Sequence, residues 1–179
     1  MLSDDRLARP QENAGVTTPV EILSPRTAAD HEAVKALFRE YAESLGFSLA
    51  YQDFETELAG FPGKYAPPEG ALLLATADGE AAGTVALRKL EQGICEMKRL
   101  YVKPAFRGRR TADGRSIGRA LAEDIVAIGR DRGYQRLRLD TIGGKMRQAL
   151  SLYRSMGFVE IPPYYASPIP DTAYLELVL

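Results

Sequence analysis

Between Cys95 and Phe158 the chain alternates strand and helix in an order that few folds accommodate. A β-like run, CEMKRLYVKP, stops at Pro104 and feeds a basic, glycine-bearing loop, FRGRRTADGRSIG, which opens an amphipathic helix. Where a strand delivers a loop into a helix start, the first helical N–H groups have no intrahelical partner. The positive end of the helix dipole adds to them, so the junction suits a phosphate. Within the helix Ile117, Leu121, Ile125 and Ile128 form a one-sided apolar stripe, and Gly129 and Gly133 bracket its end. Arg136, Arg138 and Asp140 then alternate with Leu137 and Leu139, the pattern of a strand with one buried face. A second helical stripe, Ala149, Leu150, Leu152, Tyr153 and Met156, leads to Gly157-Phe158.

Upstream, residues 1 to about 18 are polar and aperiodic, which predicts a disordered tail. VEIL (Val20 to Leu23) predicts a first strand. Thr27 and Asp30 stand at capping-box spacing ahead of Val34, Leu37, Phe38, Tyr41 and Leu45, with Gly46 as the stop. A shorter helix is predicted around Asp53 to Leu58, followed by a loop, FPGKYAPPEG. ALLLATADGEAAGTVALRKL reads as two strands joined at Asp78-Gly79. FVEI and AYLELVL are the final strands, on either side of IPPYYASPIP.

A chain of 179 residues, 45% hydrophobic and 26% charged, is long enough for one sizeable core. Lys+Arg 23 against Asp+Glu 24 leaves a net charge of -1, so no overall field holds it on nucleic acid or an anionic membrane. One Cys and one His exclude an internal disulfide and argue against a bound metal. Cys95 reads as a small core residue and His31 as part of a helix start. No run reaches the roughly 20 apolar residues of a membrane span, and the N-terminus lacks the apolar stretch of a secretory signal, so a cytoplasmic location is expected.

The CEMKRLYV strand, the RG-R…S-I-G-R loop and the A-x-x-L-Y-x-x-x-G-F segment (Ala149, Leu152, Tyr153, Gly157, Phe158) together resemble the Gcn5-related N-acetyltransferase (GNAT) family. The order strand, helices, three strands, helix, strand, helix, two strands agrees. The resemblance covers about residues 20 to 179, and implies that 19–179 form a single acetyltransferase domain. The implied fold is α/β: a central mixed, mostly antiparallel sheet splayed between its fourth and fifth strands, with helices on both faces. The implied reaction moves an acetyl group from acetyl-CoA to a primary amine, with no metal.

By the same resemblance Arg107, Gly108, Arg109, Ser116, Ile117, Gly118 and Arg119 bind the pyrophosphate, and Leu100, Tyr101 and Val102 lie along the pantetheine arm, Leu100 N–H donating to the thioester oxygen. Tyr153 is the implied proton donor to the departing thiolate and Glu96 the candidate base; Tyr164 and Tyr165 are candidate walls of the acceptor pocket. The chain departs from the family in two places. Seven residues, Arg110 to Ser116, stand where the family has one glycine, and Met146 stands where many relatives carry asparagine. With no apolar anchor, the insert is expected to bulge out as a mobile loop. A small-molecule acceptor is expected, since no acidic tract or extended basic surface points elsewhere. Homodimers are common in the family, but no segment fixes one here. Two other functions stay open. One is a non-catalytic CoA-binding module; the other is a nucleotide-binding loop, because Gly108 to Ser116 reads G-x5-G-R-S, one residue longer than a P-loop and with Arg for its Lys.

Overall fold

A short strand, β1 (Glu21–Leu23), precedes helix α1 (Ala28–Ser44) in the computed structural model, which describes residues 18–179. The expected tail therefore lies outside the described residues, apart from Thr18, whose N–H donates to Asp78. Thr27 caps α1 as its spacing predicts: its Oγ1 accepts from the Asp30 N–H at 3.1 Å, while the Asp30 carboxylate accepts from the Thr27 N–H at 2.9 Å. Gly46, at φ +72, turns the chain out of the helix. Helix α2 (Phe54–Ala59) follows, then the hairpin β2 (Ala71–Ala77) and β3 (Glu80–Glu91). Asp78 and Gly79, at φ 53 and 81, supply the two left-handed residues that a tight two-residue hairpin requires. The second half runs β4 (Ile94–Val102), α3 (Ile117–Asp131), β5 (Arg136–Ile142), α4 (Arg147–Ser155), β6 (Val159–Glu160) and β7 (Thr172–Val178).

These strands form one seven-stranded sheet in the order β1-β2-β3-β4-β5-β7-β6. Its pairs are antiparallel except β4–β5, which is parallel and joined only over Ile94–Glu96 and Arg136–Arg138. Beyond that short zip the two strands part, and the splay opens a cleft in the middle of the sheet. One face packs on α3 and α4 through Ile117, Leu121, Ile125, Leu137 and Tyr153. The other packs on α1 and α2 through Leu37, Phe38, Phe54, Leu58 and Tyr65. Each such fully buried apolar side chain contributes about 1.5–3 kcal/mol, so the two layers hold the cleft on rigid walls.

Strand β4 carries a bulge that its sequence does not announce. Thr84 pairs with Tyr101 and Ala86 with Lys98, so Arg99 and Leu100 together face Val85. Arg99 sits at φ +59, a left-handed conformation that costs a non-glycine residue about 1–3 kcal/mol. Its buried side chain offsets this: the guanidinium donates to both oxygens of Glu57, at 3.1 and 2.9 Å, and to Gln52 at 2.9 Å. The bulge frees backbone hydrogen-bonding groups beside Leu100, at the point where the sheet splits.

The insert, expected to bulge out as a mobile loop, forms a hydrogen-bonded hairpin. Arg110 bridges Ser116, the Thr111 N–H donates to the Arg115 carbonyl at 3.0 Å, and Gly114, at φ +85, makes the turn. Its anchors are polar. Arg115 forks onto Asp124 at 2.7 Å, Glu123 at 3.3 Å and Asp113 at 2.8 Å, tying the hairpin to the first turns of α3.

Candidate functional site

A groove of about 700 Å³ runs from the start of α3 along β4 to α4. The outer edge of β4 gives Leu100, Tyr101 and Val102; the α3 start gives Ser116, Gly118 and Arg119; α4 gives Gln148, Ala149, Ser151, Leu152 and Ser155. Among the described residues three cations line it, Arg107, Arg119 and Lys145, and no carboxylate does, although Arg119 also pairs with Glu123, at 2.9 Å, beside the groove. Ser116, at φ −64 and ψ 152, is extended, so the position needs no glycine. Its Oγ accepts from the Arg119 N–H, which leaves the earlier N–H groups of the helix start without a side-chain cap. Cationic walls, open N–H groups and a strand edge fit an anionic ligand with a long polar arm.

At its inner end the groove meets a narrow cavity of about 40 Å³ inside the splay; Tyr41, Leu100, Met146 and Ala149 line both. Tyr153 projects there from α4, and Lys98, Arg99 and Asp140 from the two parted strands. Lys98 Nζ reaches across the gap to Asp140 Oδ1 at 3.2 Å, and the Tyr165 hydroxyl donates to Asp140 Oδ2 at 3.0 Å. Among the described residues no hydrogen bond engages the Tyr153 hydroxyl. Burial pushes its pKa up, with Tyr41 and Asp140 adding to the effect, so it stays protonated at neutral pH. Burial likewise pushes Tyr41 up to about 12, Arg99 opposing and Asp140 reinforcing.

Overhead, the Tyr164 hydroxyl donates to Glu96 Oε1 at 2.8 Å, and Tyr164, Tyr165 and Tyr174 stack edge to face with centroids 5.3–5.6 Å apart. Tyr165 thus approaches the cavity through Asp140, Tyr164 meets Glu96 beside it, and neither tyrosine lines it.

Of the residues singled out from sequence, the structure gathers Leu100, Tyr101, Val102, Arg107, Ser116, Gly118 and Arg119 on the groove and Tyr153 at its inner end. Others lie elsewhere. Arg109 turns away to an ion pair with Asp78 and a bond to the Thr18 carbonyl; Gly108 has open space around it; Ile117 is buried in the core. Glu96 is buried and occupied, with Arg88 Nε at 2.6 Å and Tyr164 on its other oxygen, and does not line the cavity. The carboxylate that does is Asp140, which sequence reasoning passed over. Its signal was present: in RLRLDT it continues the polar face of Arg138 into the splay. Cys95 is buried, its thiol pushed up to about 12, consistent with a small core residue. The P-loop reading fails on geometry, because Gly114, Arg115 and Ser116 build the hairpin and the Arg115 fork faces acids of α3.

Residues 31–158 match the acetyltransferase (GNAT) family model. The chain belongs to the GNAT family. An uncharacterised N-acetyltransferase of Schizosaccharomyces pombe is 36% identical over 160 residues, covering 88% of this chain and 94% of the relative. One from Dictyostelium discoideum is 30% identical, covering 83% and 94%. Among solved structures, an acetyltransferase of Streptococcus agalactiae shares the fold at TM-score 0.70 and 21% identity, covering 90% of this chain and 99% of that one. The protein yncA of Salmonella typhimurium, solved with its cofactor acetyl-CoA, does so at TM-score 0.63 and 18% identity, covering 90% and 94%. This GNAT protein is an acyltransferase enzyme with the splayed mixed sheet that its sequence implied. Among the described residues no helix is long and apolar enough to cross a membrane.

Proposed function

We propose that the protein transfers the acetyl group of acetyl-CoA to the primary amine of a small molecule. The observation that carries this reading is the continuity of a cationic groove with a cavity lined by a phenol free of protein hydrogen bonds among the described residues and by a carboxylate, Tyr153 and Asp140. Arg107, Arg119 and the N–H groups opening α3 would hold the phosphates, and the strand edge Leu100–Val102 the amide-bearing arm. At the bulge the Leu100 N–H donates to the thioester oxygen as negative charge develops on it. Asp140 takes a proton from the attacking amine as the C–N bond forms. Tyr153 gives its proton to the sulfur as the C–S bond breaks.

Acetyl-CoA is expected to stabilise the protein against heat, by about 2.7 kcal/mol at a hundredfold excess over Kd, with no comparable effect from ATP. A shift with ATP alone, or equal shifts, would sink the assignment. Tyr153→Phe keeps the ring and its contact with Phe158, at 5.6 Å between centroids. It is expected to lower kcat by about 10- to 100-fold with acetyl-CoA affinity nearly unchanged. An unchanged kcat, where chemistry limits the rate, assigns the phenol to packing alone.

A further inference from the structure

The floor of the acceptor end holds more positive charge than its own carboxylates balance. Four cations, Lys64, Arg88, Lys98 and Arg99, stand around three carboxylates, Glu57, Glu96 and Asp140. The neighbouring Arg136 and Arg138 do not add to the excess, because Glu91 and Glu176 pair with them. Arg99 is buried, Lys98 is nearly so, and both are committed to carboxylates, whereas Arg88 and Lys64 are partly exposed, 29% and 40% at the side chain, and incompletely used. Arg88 spends only its Nε, on Glu96; among the described residues its two terminal nitrogens have no partner. Among the described residues Lys64 has one carboxylate, Glu57 at 3.4 Å, and stands over the Tyr65 ring, 5.5 Å from its centroid. Burial lowers the Lys64 pKa; Glu57 opposes the drop, and the nearby charges of Arg88 and Arg99 reinforce it.

The register places this surplus relative to the chemistry. Arg88 pairs with Glu96, and Lys98 lies two residues further along β4, beside Asp140 and toward the bulge. Two strand residues span roughly 7 Å, so an amine at Asp140 has the Arg88 fork about that far behind it, on the side away from the groove. A planar guanidinium with two free N–H edges suits a carboxylate, which it meets with paired hydrogen bonds.

We propose that the acceptor is an amine bearing a carboxylate, held by Arg88 and Lys64 while its amino group lies between Asp140 and Tyr153. This rests on the reading of the enzyme as an acetyl-CoA-dependent amine acetyltransferase. The full-length protein with acetyl-CoA is tested on three acceptors of similar length: δ-aminovalerate, pentylamine and cadaverine. They end respectively in a carboxylate, a methyl group and a second ammonium. Acetylation is followed as CoA release, and Lys64→Glu and Arg88→Lys are compared with wild type. Arg88→Lys keeps a charge beside Glu96 but loses the fork, so it carries the readout if Lys64→Glu fails to fold. Wild type is expected to prefer δ-aminovalerate over pentylamine by at least about 10-fold in kcat/KM, with cadaverine poorest. Both variants are expected to shrink that preference, through KM. Equal or better turnover of pentylamine or cadaverine overturns the carboxylate and leaves the acetyltransferase reading standing, as does a preference that both variants preserve. No CoA release with any of the three, from protein that acetyl-CoA stabilises against heat, overturns the inference and the amine-acceptor reading together.

Discussion

Asp140→Asn is expected to lower kcat/KM for the amine acceptor by about 10²- to 10⁴-fold while leaving the KM for acetyl-CoA within about twofold. Asparagine is nearly isosteric: its amide oxygen can still accept from Lys98, and its NH2 can donate to the Tyr165 hydroxyl oxygen in place of the bond Asp140 accepts there, so the walls of the cavity stay in place. What it loses is the capacity to take a proton from the amine. Glu96→Gln provides the contrast. That carboxylate is capped by Arg88 and Tyr164 outside the cavity, so its replacement is expected to act on stability more than on the chemical step. Steady-state rates for the two variants at saturating acetyl-CoA decide between the carboxylates. If Asp140→Asn costs less than about threefold, the proton leaves by another route.

The largest expected loss of stability belongs to Glu57→Ala. Glu57 and Arg99 are 3% and 2% exposed and meet through two hydrogen bonds, and the Tyr65 hydroxyl donates to the same carboxylate at 3.0 Å. Removing the carboxylate strands a buried guanidinium on a left-handed residue, a change worth about 3–5 kcal/mol. For a chain of this length that is a fall in Tm on the order of 10 °C. Denaturant melts at neutral pH measure it; a loss under 1 kcal/mol would mean that the pair is not buried in solution. The pH dependence has a definite sign. Burial alone would raise the Glu57 pKa, but the Arg99 hydrogen bonds and charge overcome it and hold the carboxyl below 4.5, its ordinary value. The stability from the ionised form is therefore present above 4.5 and fades as pH falls through the lowered value, so the gap between wild type and Glu57→Ala should narrow in acid.

Features set by neighbouring residues were legible before any coordinates. The Thr27–Asp30 cap, the Asp78-Gly79 turn and the apolar stripes of α3 and α4 are local, and each forms where its spacing places it. The groove followed because a strand, a loop and a helix start are consecutive in the chain. The acceptor end was not legible, since its contacts join distant segments: Glu57 meets Arg99 across 42 residues, and Tyr164 meets Glu96 across 68. Glu96 and Asp140 are both acids on strands at the splay, and sequence alone does not say which one a tyrosine and an arginine cover. The bulge escaped notice for a similar reason. Nothing in MKRLYV forbids an unbroken strand, and the left-handed turn at Arg99 is stabilised by a carboxylate from another element. The insert misled in the opposite sense, because the absence of apolar residues says nothing about an arginine that finds two acids on the following helix.

That hairpin also bears on how loops of this kind change length. Arg110 and Ser116 are already bridged at its base, so the tip at Ala112 to Gly114 can gain or lose residues without shifting the start of α3. Closing a slightly longer loop adds only a few tenths of a kcal/mol, less than a single lost ion pair at its root. Insertions and deletions at the tip are then nearly neutral for cofactor binding, whereas a substitution at Arg115 that stays silent in the turn loosens the helix start it is tied to. Variation among relatives is expected to collect in the number of residues at the tip and to spare the charges that clamp its base.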